Sequence, residues 1–227
     1  MTANLDRWEQ SIVAEPGVYA PQADSRTLLR ALGEVSVPPG ARVLDLCTGS
    51  GVIAIGAAMA GAHDVVAYDI SGDAVRCAQR NADAMSVSVD VRLGGLPHAL
   101  ADGPFDLVLC NPPYVPADRT HSGALAWDAG DDGRLLLDPL CTRARELLCA
   151  GGTLLIVHSE FSGTDTSLAQ LRAAGLKASV VARTTIDFGP VMHERAAWLE
   201  ARGLLDKGVR REELVVIRGD RGETDVW

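Results

Sequence analysis

Val43-Leu44-Asp45-Leu46-Cys47-Thr48-Gly49-Ser50-Gly51-Val52-Ile53-Ala54 changes its hydrophobic pattern part-way along. Positions 43–46 read as a short buried strand, 47–51 as a tight turn, and Val52 to Ala60 as a helix of small apolar residues. A strand, a glycine turn and a helix in that order open a doubly wound α/β sheet, with the turn at the carboxyl end of the first strand. Glycines at 49 and 51 let the backbone approach a ligand with no Cβ in the way, and the next helix presents its N-terminus there. The turn marks a ligand site as well as a fold.

A second apolar run, Asp64-Val65-Val66-Ala67-Tyr68, ends at Asp69, twenty residues beyond Gly49. A carboxylate at that distance accepts from two ribose hydroxyls. Two readings stay open. Gly49-Ser50-Gly51-Val52-Ile53-Ala54 fits the G-x-G-x-x-G/A dinucleotide fingerprint, which would make the chain a nicotinamide dehydrogenase. Asp45 points the other way: it lies near the strand's end, where a cationic amino group or sulfonium is welcome and a pyrophosphate is not. S-adenosylmethionine meets both conditions, with its ribose on Asp69 and its methionine end towards Asp45. The plain structural alternative for Asp45 is an acid capping the turn.

Farther along, Phe105-Asp106-Leu107-Val108-Leu109-Cys110 stops at Asn111-Pro112-Pro113-Tyr114. An -NH₂ group conjugated to a carbonyl or an aromatic ring offers two N–H donors, and Asn111 Oδ1 with the Pro112 carbonyl supplies two acceptors. Neither proline has an N–H to compete, and their fixed φ holds that carbonyl in place. Tyr114 is placed to stack on the flat group. The alternative is a Pro-Pro pair that merely ends a strand.

These stretches resemble the class I methyltransferases, and more narrowly the N5-glutamine methyltransferases of peptide-chain release factors. The likeness is carried by VLDLCTGSG (Val43 to Gly51), Asp69-Ile70, FDLVLCNPPYVP (Phe105 to Pro116), and Ala126-Trp127 followed by Gly130 and Gly133-Arg134. Gly17-Val18-Tyr19-Ala20-Pro21-Gln22-Ala23-Asp24-Ser25 is similar to the segment before the core in the short, eukaryotic and archaeal-type branch, so the likeness covers about residues 17 to 160. It implies a Rossmann-like seven-stranded sheet in the order 3-2-1-4-5-7-6 with the last strand antiparallel. It also implies S-adenosylmethionine held by Ser25, Asp45, Thr48, Gly49, Gly51, Asp69, Ile70, Gly95 and Asn111. Asn111, Pro112 and Tyr114 carry catalysis in that reading, and Pro113 and Trp127 join them at the substrate.

One position departs from the family. After the third strand its members usually carry an acid that accepts from the adenine amine, whereas Leu93-Gly94-Gly95-Leu96 puts Gly95 there. The adenine then falls to backbone groups or to Asp102. Asn-Pro-Pro-Tyr is confined largely to enzymes that methylate planar nitrogens. A glutamine in a Gly-Gly-Gln loop of a release factor is therefore the leading substrate, adenine N6 in nucleic acid the second, and a small-molecule amine or amide the third. Eukaryotic members of the short branch work with a small zinc-binding activator protein, which becomes a candidate partner. The stretch before Arg42 leaves no room for the separate helical domain of the longer bacterial enzymes.

Composition fits a soluble enzyme. The 227 residues are 47% hydrophobic with no Ser/Gly/Pro tract dividing them. One domain over 1–227 is expected: a cap and leading helix over 1–41, the cofactor and Asn-Pro-Pro-Tyr core over 42–160, and the C-terminal half of the sheet over 161–227. Five cysteines, at 47, 77, 110, 141 and 149, show no C-x-x-C spacing; no zinc site or disulfide framework is indicated, and the cytoplasm is the expected compartment. Acids and Trp8 stand where a leader would carry basic residues, and Val52 to Ala62 is too short to span a bilayer, so no membrane role is expected.

A net charge of −9 disfavours a nucleic-acid partner. The loop after Tyr114 is mixed and slightly acidic (Asp118, Arg119, His121, Asp128, Asp131, Asp132, Arg134), and Arg210-Arg211-Glu212-Glu213 reads as a solvated face. His121 and His158 are not needed as bases, because an amide proton becomes acidic only after attack. His158 reads as a strand-end residue and Cys110 as a small core residue.

The remaining pattern alternates as a doubly wound sheet should. Helices are expected over Ser25 to Leu32, from a Ser71 cap to Asn81, and over Leu135 to Leu148, Leu168 to Ala174 and Glu194 to Arg202. Strands are expected over Val87 to Leu93, Thr153 to Val157, Ala178 to Arg183 and Leu214 to Arg218, in addition to those already placed.

Overall fold

The computed structural model describes residues 8–117 and 128–223. Its strands are β1 (Arg42–Leu46), β2 (Asp64–Asp69), β3 (Asp90–Leu93), β4 (Phe105–Cys110), β5 (Leu148–Ser159), β6 (Lys177–Asp187) and β7 (Arg211–Asp220). The described α-helices are α1 (Ala23–Gly33), α2 (Val52–Met59), α3 (Gly72–Ala84), α4 (Leu96–Asp102), α5 (Leu137–Leu147), α6 (Thr164–Ala173) and α7 (Pro190–Ala201). The strands form one seven-stranded sheet in the order β3-β2-β1-β4-β5-β7-β6. β1 to β5 run parallel, and β7 runs antiparallel between β5 and β6. This is the expected doubly wound sheet with its reversed last strand.

The central strands are apolar at nearly every position because both faces of the sheet are covered. Successive side chains alternate between faces. Leu44, Leu46, Val108, Cys110, Leu154 and Ile156 share one buried cluster with Leu137, Leu140 and Leu147 of α5. Val43, Leu107, Leu109, Leu155 and Val157 share the other with Leu28 and Leu29 of α1 and Ile53 and Ile55 of α2. All the parallel strands therefore end at one edge, where ligands bind in such sheets.

Several boundaries differ from the pattern, each for a local reason. β3 starts at Asp90 rather than Val87, because the Val87 N–H closes the end of α3 on the Ala82 carbonyl (3.1 Å) and is not free for the sheet. Gly151-Gly152 lies inside β5, which begins at Leu148 where the expected helix ends: Gly151 has φ +77°, and the register with β4 shifts between Phe105 and Leu107, so the pair makes a bulge. α4 is an additional element of only seven residues, which packs Leu96, Ala99 and Leu100 on the core; Gly95 begins it and Pro97 lies in its first turn. Ser71 caps α3 as expected, its Oγ accepting from Ala74 N at 3.3 Å.

Glu212 corrects the reading of 210–213 as a solvated face. It lies in β7, where alternate residues point inward, and is only 4% exposed. Its neighbours do pair at the surface: Arg210 with Glu200, Arg211 with Asp187, and Glu213 with Arg183. Among the described residues no helix is long and apolar enough to cross a membrane.

Gly51 is a stability test of the β1–α2 turn. Its φ is +84°, and an added Cβ would lie 3.0 Å from both Cα and Cβ of Ala78 in α3. Gly51→Ala is expected to cost about 3 kcal/mol from left-handed backbone strain plus overpacking, read as a lower urea midpoint at unchanged slope.

Candidate active site

The turn after β1 is built by backbone bonds that converge on β2. Cys47 and Thr48 N–H both donate to the Tyr68 carbonyl, at 2.9 and 3.0 Å, and Cys47 takes a left-handed φ of 66° to allow it. Asp69 completes the join: Oδ2 accepts from Gly49 N and Oδ1 from Ser71 N, each at 2.9 Å. Burial raises its pKa while these backbone bonds oppose the rise. The carboxylate keeps acceptor capacity beyond its backbone bonds, which suits a ribose hydroxyl. Gly51 faces α3 rather than open space, so its missing Cβ serves helix packing. Asn81 of α3 reinforces the turn, donating through Nδ2 to the Ser50 carbonyl at 2.8 Å.

Asp45 is fully buried and splits its two oxygens between two tasks. Oδ2 accepts from Thr48 Oγ1 at 2.6 Å and from Ala54 N at 3.0 Å, the turn-bracing role. Oδ1 has no hydrogen-bond partner. Burial pushes the carboxyl up to about 7, against the pull of those two bonds. A buried carboxyl oxygen without a partner is what a bound cation would satisfy.

Ile70 and Leu93, the latter paired to Asp69 across the sheet, are 62% and 63% exposed. Gly95 lies beside Ile70, where a Cβ would come within 3.1 Å of Ile70 Cγ2. Ile70 and Gly95 make an apolar ledge suited to a flat ring, with Leu93 exposed at the neighbouring strand end. Asp102 takes no part in it, which corrects one of the two options raised for the adenine. Asp102 closes α4 at the opposite, amino edge of the sheet, where it accepts from the Tyr68 hydroxyl at 2.9 Å and pairs with Arg92. Arg42, which opens β1, also holds its backbone carbonyl, at 2.6 Å.

Asn111 follows β4 directly, next to the β1 turn, since Leu46 and Cys110 are register partners. Its Nδ2 lies 3.4 Å from Ser25 Oγ in α1. No side chain of the described residues donates to Asn111 Oδ1 or to the Pro112 carbonyl, and Pro113 continues the turn. Tyr114 is held at both ends. Its hydroxyl donates to Asp24 Oδ2 at 2.9 Å, and its carbonyl accepts from Ser162 Oγ at 2.8 Å. Gly133 passes so close that a Cβ would lie 2.4 Å from that carbonyl, which accounts for a glycine at 133. Burial and the neighbouring Asp24 raise the Tyr114 pKa far above its ordinary value, so the phenol stays protonated.

Asp24 is the residue to which the sequence assigned no role. It is 2% exposed, and besides Tyr114 its Oδ2 accepts from the Tyr19 hydroxyl at 2.6 Å, while Oδ1 accepts from Ser25 N at 2.6 Å. The available signal was the pairing of Tyr19 with Asp24-Ser25 just before a helix; nothing local says that Tyr114 meets them. Trp127 and His121 lie outside the described residues. Among the described residues no three His, Cys, Asp or Glu side chains gather as a metal site.

His158 and Cys110 are built into the wall. Burial and the adjacent Cys47 raise the Cys110 thiol pKa, so it is no thiolate. His158 is fully buried, with Nδ1 2.8 Å from the Ser159 carbonyl and Nε2 without a partner, and burial lowers its pKa to about 4. The unfolded chain takes up this proton near the ordinary pKa of 6.5, the folded one only near 4. Stability from this group is therefore full above about 6.5 and lost as pH falls through about 4, on the order of 3 kcal/mol. His158→Leu is expected to flatten that acid limb, measured by urea unfolding at pH 7, 5.5 and 4.

Residues 9–185 match the sequence profile described as the methyltransferase small domain. The chain belongs to this methyltransferase family. A Methanocaldococcus jannaschii protein, provisionally named a protein N5-glutamine methyltransferase, is 34% identical to it over 78% of this chain and 90% of that one. A release factor glutamine methyltransferase of Deinococcus radiodurans is 36% identical over 79% of this chain and 68% of its own. Among solved structures, the methyltransferase fold matches that of the E. cuniculi Mtq2–Trm112 complex, responsible for methylation of the termination factor eRF1. The TM-score is 0.62 at 21% identity, over 91% of this chain and 99% of that one. The chain is thus a methyltransferase, with its glycine turn and Asn111 on adjacent strand ends.

Proposed function

We propose that this methyltransferase moves a methyl group from S-adenosylmethionine to the side-chain amide nitrogen of a glutamine in a protein such as a release factor. The observation that carries the proposal is the placement of two acceptors, Asn111 Oδ1 and the Pro112 carbonyl, directly after β4 and one strand over from the Gly49–Asp69 junction. Two acceptors on a rigid turn match the two N–H donors of a primary amide. Asp69 offers its remaining acceptor capacity to the ribose, Ile70 and Gly95 a ledge to the adenine, and Asp45 Oδ1 a counter-charge to the methionine end. The cofactor, when bound, supplies an electrophilic methyl carbon on a sulfonium.

An amide nitrogen is a poor nucleophile, so what the protein contributes is placement. Holding the nitrogen about 3 Å from the methyl carbon turns an encounter into an intramolecular step. Asn111 and Pro112 accept the two N–H bonds and favour electron density on nitrogen as the new bond forms. The proton is lost after attack, so neutral, buried His158 is not required as a base. The names of the Methanocaldococcus and Deinococcus relatives support glutamine as acceptor. The E. cuniculi complex supports a small second subunit for this chain as well. The proposal places the reaction in the cytoplasm and, at a net charge of −9, away from nucleic acid.

The test is incubation with labelled S-adenosylmethionine and a release factor, intact or with the glutamine of its Gly-Gly-Gln loop changed to alanine. Label on the intact protein alone is expected; equal labelling of both rejects the glutamine reading.

A further inference from the structure

Asn111 serves the proposed reaction in one sense only. Its amide must turn Oδ1 towards the acceptor nitrogen, because Nδ2 would meet a donor with a donor. The two senses of an asparagine amide have the same shape, so neighbouring hydrogen bonds decide between them. Here Nδ2 faces Ser25 Oγ at 3.4 Å, and Ser25 Oγ in turn faces Asp24 Oδ1 at 3.3 Å. Both are long, as catalytic contacts often are before ligand closes the site.

The direction of this chain is set at its far end. Asp24 Oδ1 receives Ser25 N (2.6 Å) and Ser25 Oγ, and Oδ2 receives the hydroxyls of Tyr19 (2.6 Å) and Tyr114 (2.9 Å). Four donors surround a carboxylate with about four acceptor positions. It has none left over and nothing to donate. The Ser25 proton is thereby drawn to Asp24, and the Ser25 lone pairs are left for Asn111 Nδ2.

We propose that Asp24 is a positioning residue that, through Ser25, fixes the sense of the Asn111 amide, so that the site takes an acceptor nitrogen carrying hydrogen. This rests on the proposed reading of Asn111 as the grip on that nitrogen. Asp24 also anchors the Tyr114 hydroxyl, so both ends of Asn111–Tyr114 are referenced to one buried carboxylate. In Asp24→Asn an amide NH₂ replaces one oxygen. Its oxygen stays with the Ser25 N–H, which cannot accept, and its NH₂ turns to the Tyr19 and Tyr114 hydroxyls, which can; the charge that draws the Ser25 proton is lost, and the sense of the Asn111 amide is no longer fixed.

The experiment is a double-mutant cycle on the full chain with Asp24→Asn, Ser25→Ala and the pair, read as kcat, KM for S-adenosylmethionine and affinity for S-adenosylhomocysteine. Each single change is expected to lower kcat roughly 10- to 100-fold with the cofactor parameters within about threefold, and the pair to be no worse than either. Unchanged kcat in Asp24→Asn, multiplying losses in the pair, or a Ser25→Ala loss carried by cofactor affinity overturns the proposal.

A second readout needs no acceptor and no variant. In protein labelled with ¹⁵N-asparagine, a cross-relaxation contact between Asn111 Hδ2 and Ser25 Hβ is expected in the wild type, and its absence overturns the proposal. If the wild type methylates no glutamine, the glutamine reading fails, and this contact still tests the sense of the Asn111 amide on which the role of Asp24 depends.

Discussion

Asn111→Ala is expected to lower turnover about a thousandfold while S-adenosylhomocysteine still binds near the wild-type affinity. The change deletes one of two acceptors that face the methyl-accepting nitrogen, and groups of that kind are worth about 10²- to 10³-fold in rate. Little else depends on the side chain. Its described hydrogen bond is the 3.4 Å contact with Ser25, and it does not brace the glycine turn, whose bonds run through Asp69, Asp45 and Asn81. The urea midpoint should therefore barely move. Single-turnover kinetics with saturating cofactor, set beside calorimetric binding of S-adenosylhomocysteine, separates the two quantities. A variant that retains turnover shows that the grip lies elsewhere.

Asp69→Ala is expected to fail in the opposite way, with cofactor binding weakened a hundredfold or more and turnover partly recovered at high cofactor concentration. Asp69 accepts from Gly49 N and Ser71 N and offers its remaining acceptor capacity to the ribose. Losing a charged acceptor for the ribose costs about 3 kcal/mol of binding or more, since bonds to charged groups are worth about 1.5–3 kcal/mol each. The same change strands two backbone donors, so a stability loss of about 2 kcal/mol accompanies it. An effect on KM for Asp69 and on kcat for Asn111 is the signature of the division of labour between the ends of β2 and β4. Equal loss of kcat in both variants would contradict it.

Much of this arrangement is legible in the chain, because the informative residues act locally. Val43 to Gly51 and Asp64 to Asp69 declare strand, turn and acid through short-range patterns, and β1, β2 and β4 fall where their apolar runs lie. What the pattern cannot carry is contact across long separations. Tyr114 meets Asp24 ninety residues away, and the need for glycine at 133 appears only when the Tyr114 carbonyl is seen beside it. Charge runs mislead for the same reason: Glu212 looks solvated among Arg210, Arg211 and Glu213 until β7 turns it inward. Asp102 looked available to the adenine in sequence, yet α4 carries it to the far edge of the sheet.

The most direct test is a crystal structure of the protein with S-adenosylhomocysteine and a glutamine peptide. The account predicts the glutamine Nε2 within about 3 Å of both Asn111 Oδ1 and the Pro112 carbonyl, facing the cofactor sulfur. A peptide amide that lies away from residue 111, or that meets Asn111 through Nδ2, would contradict it.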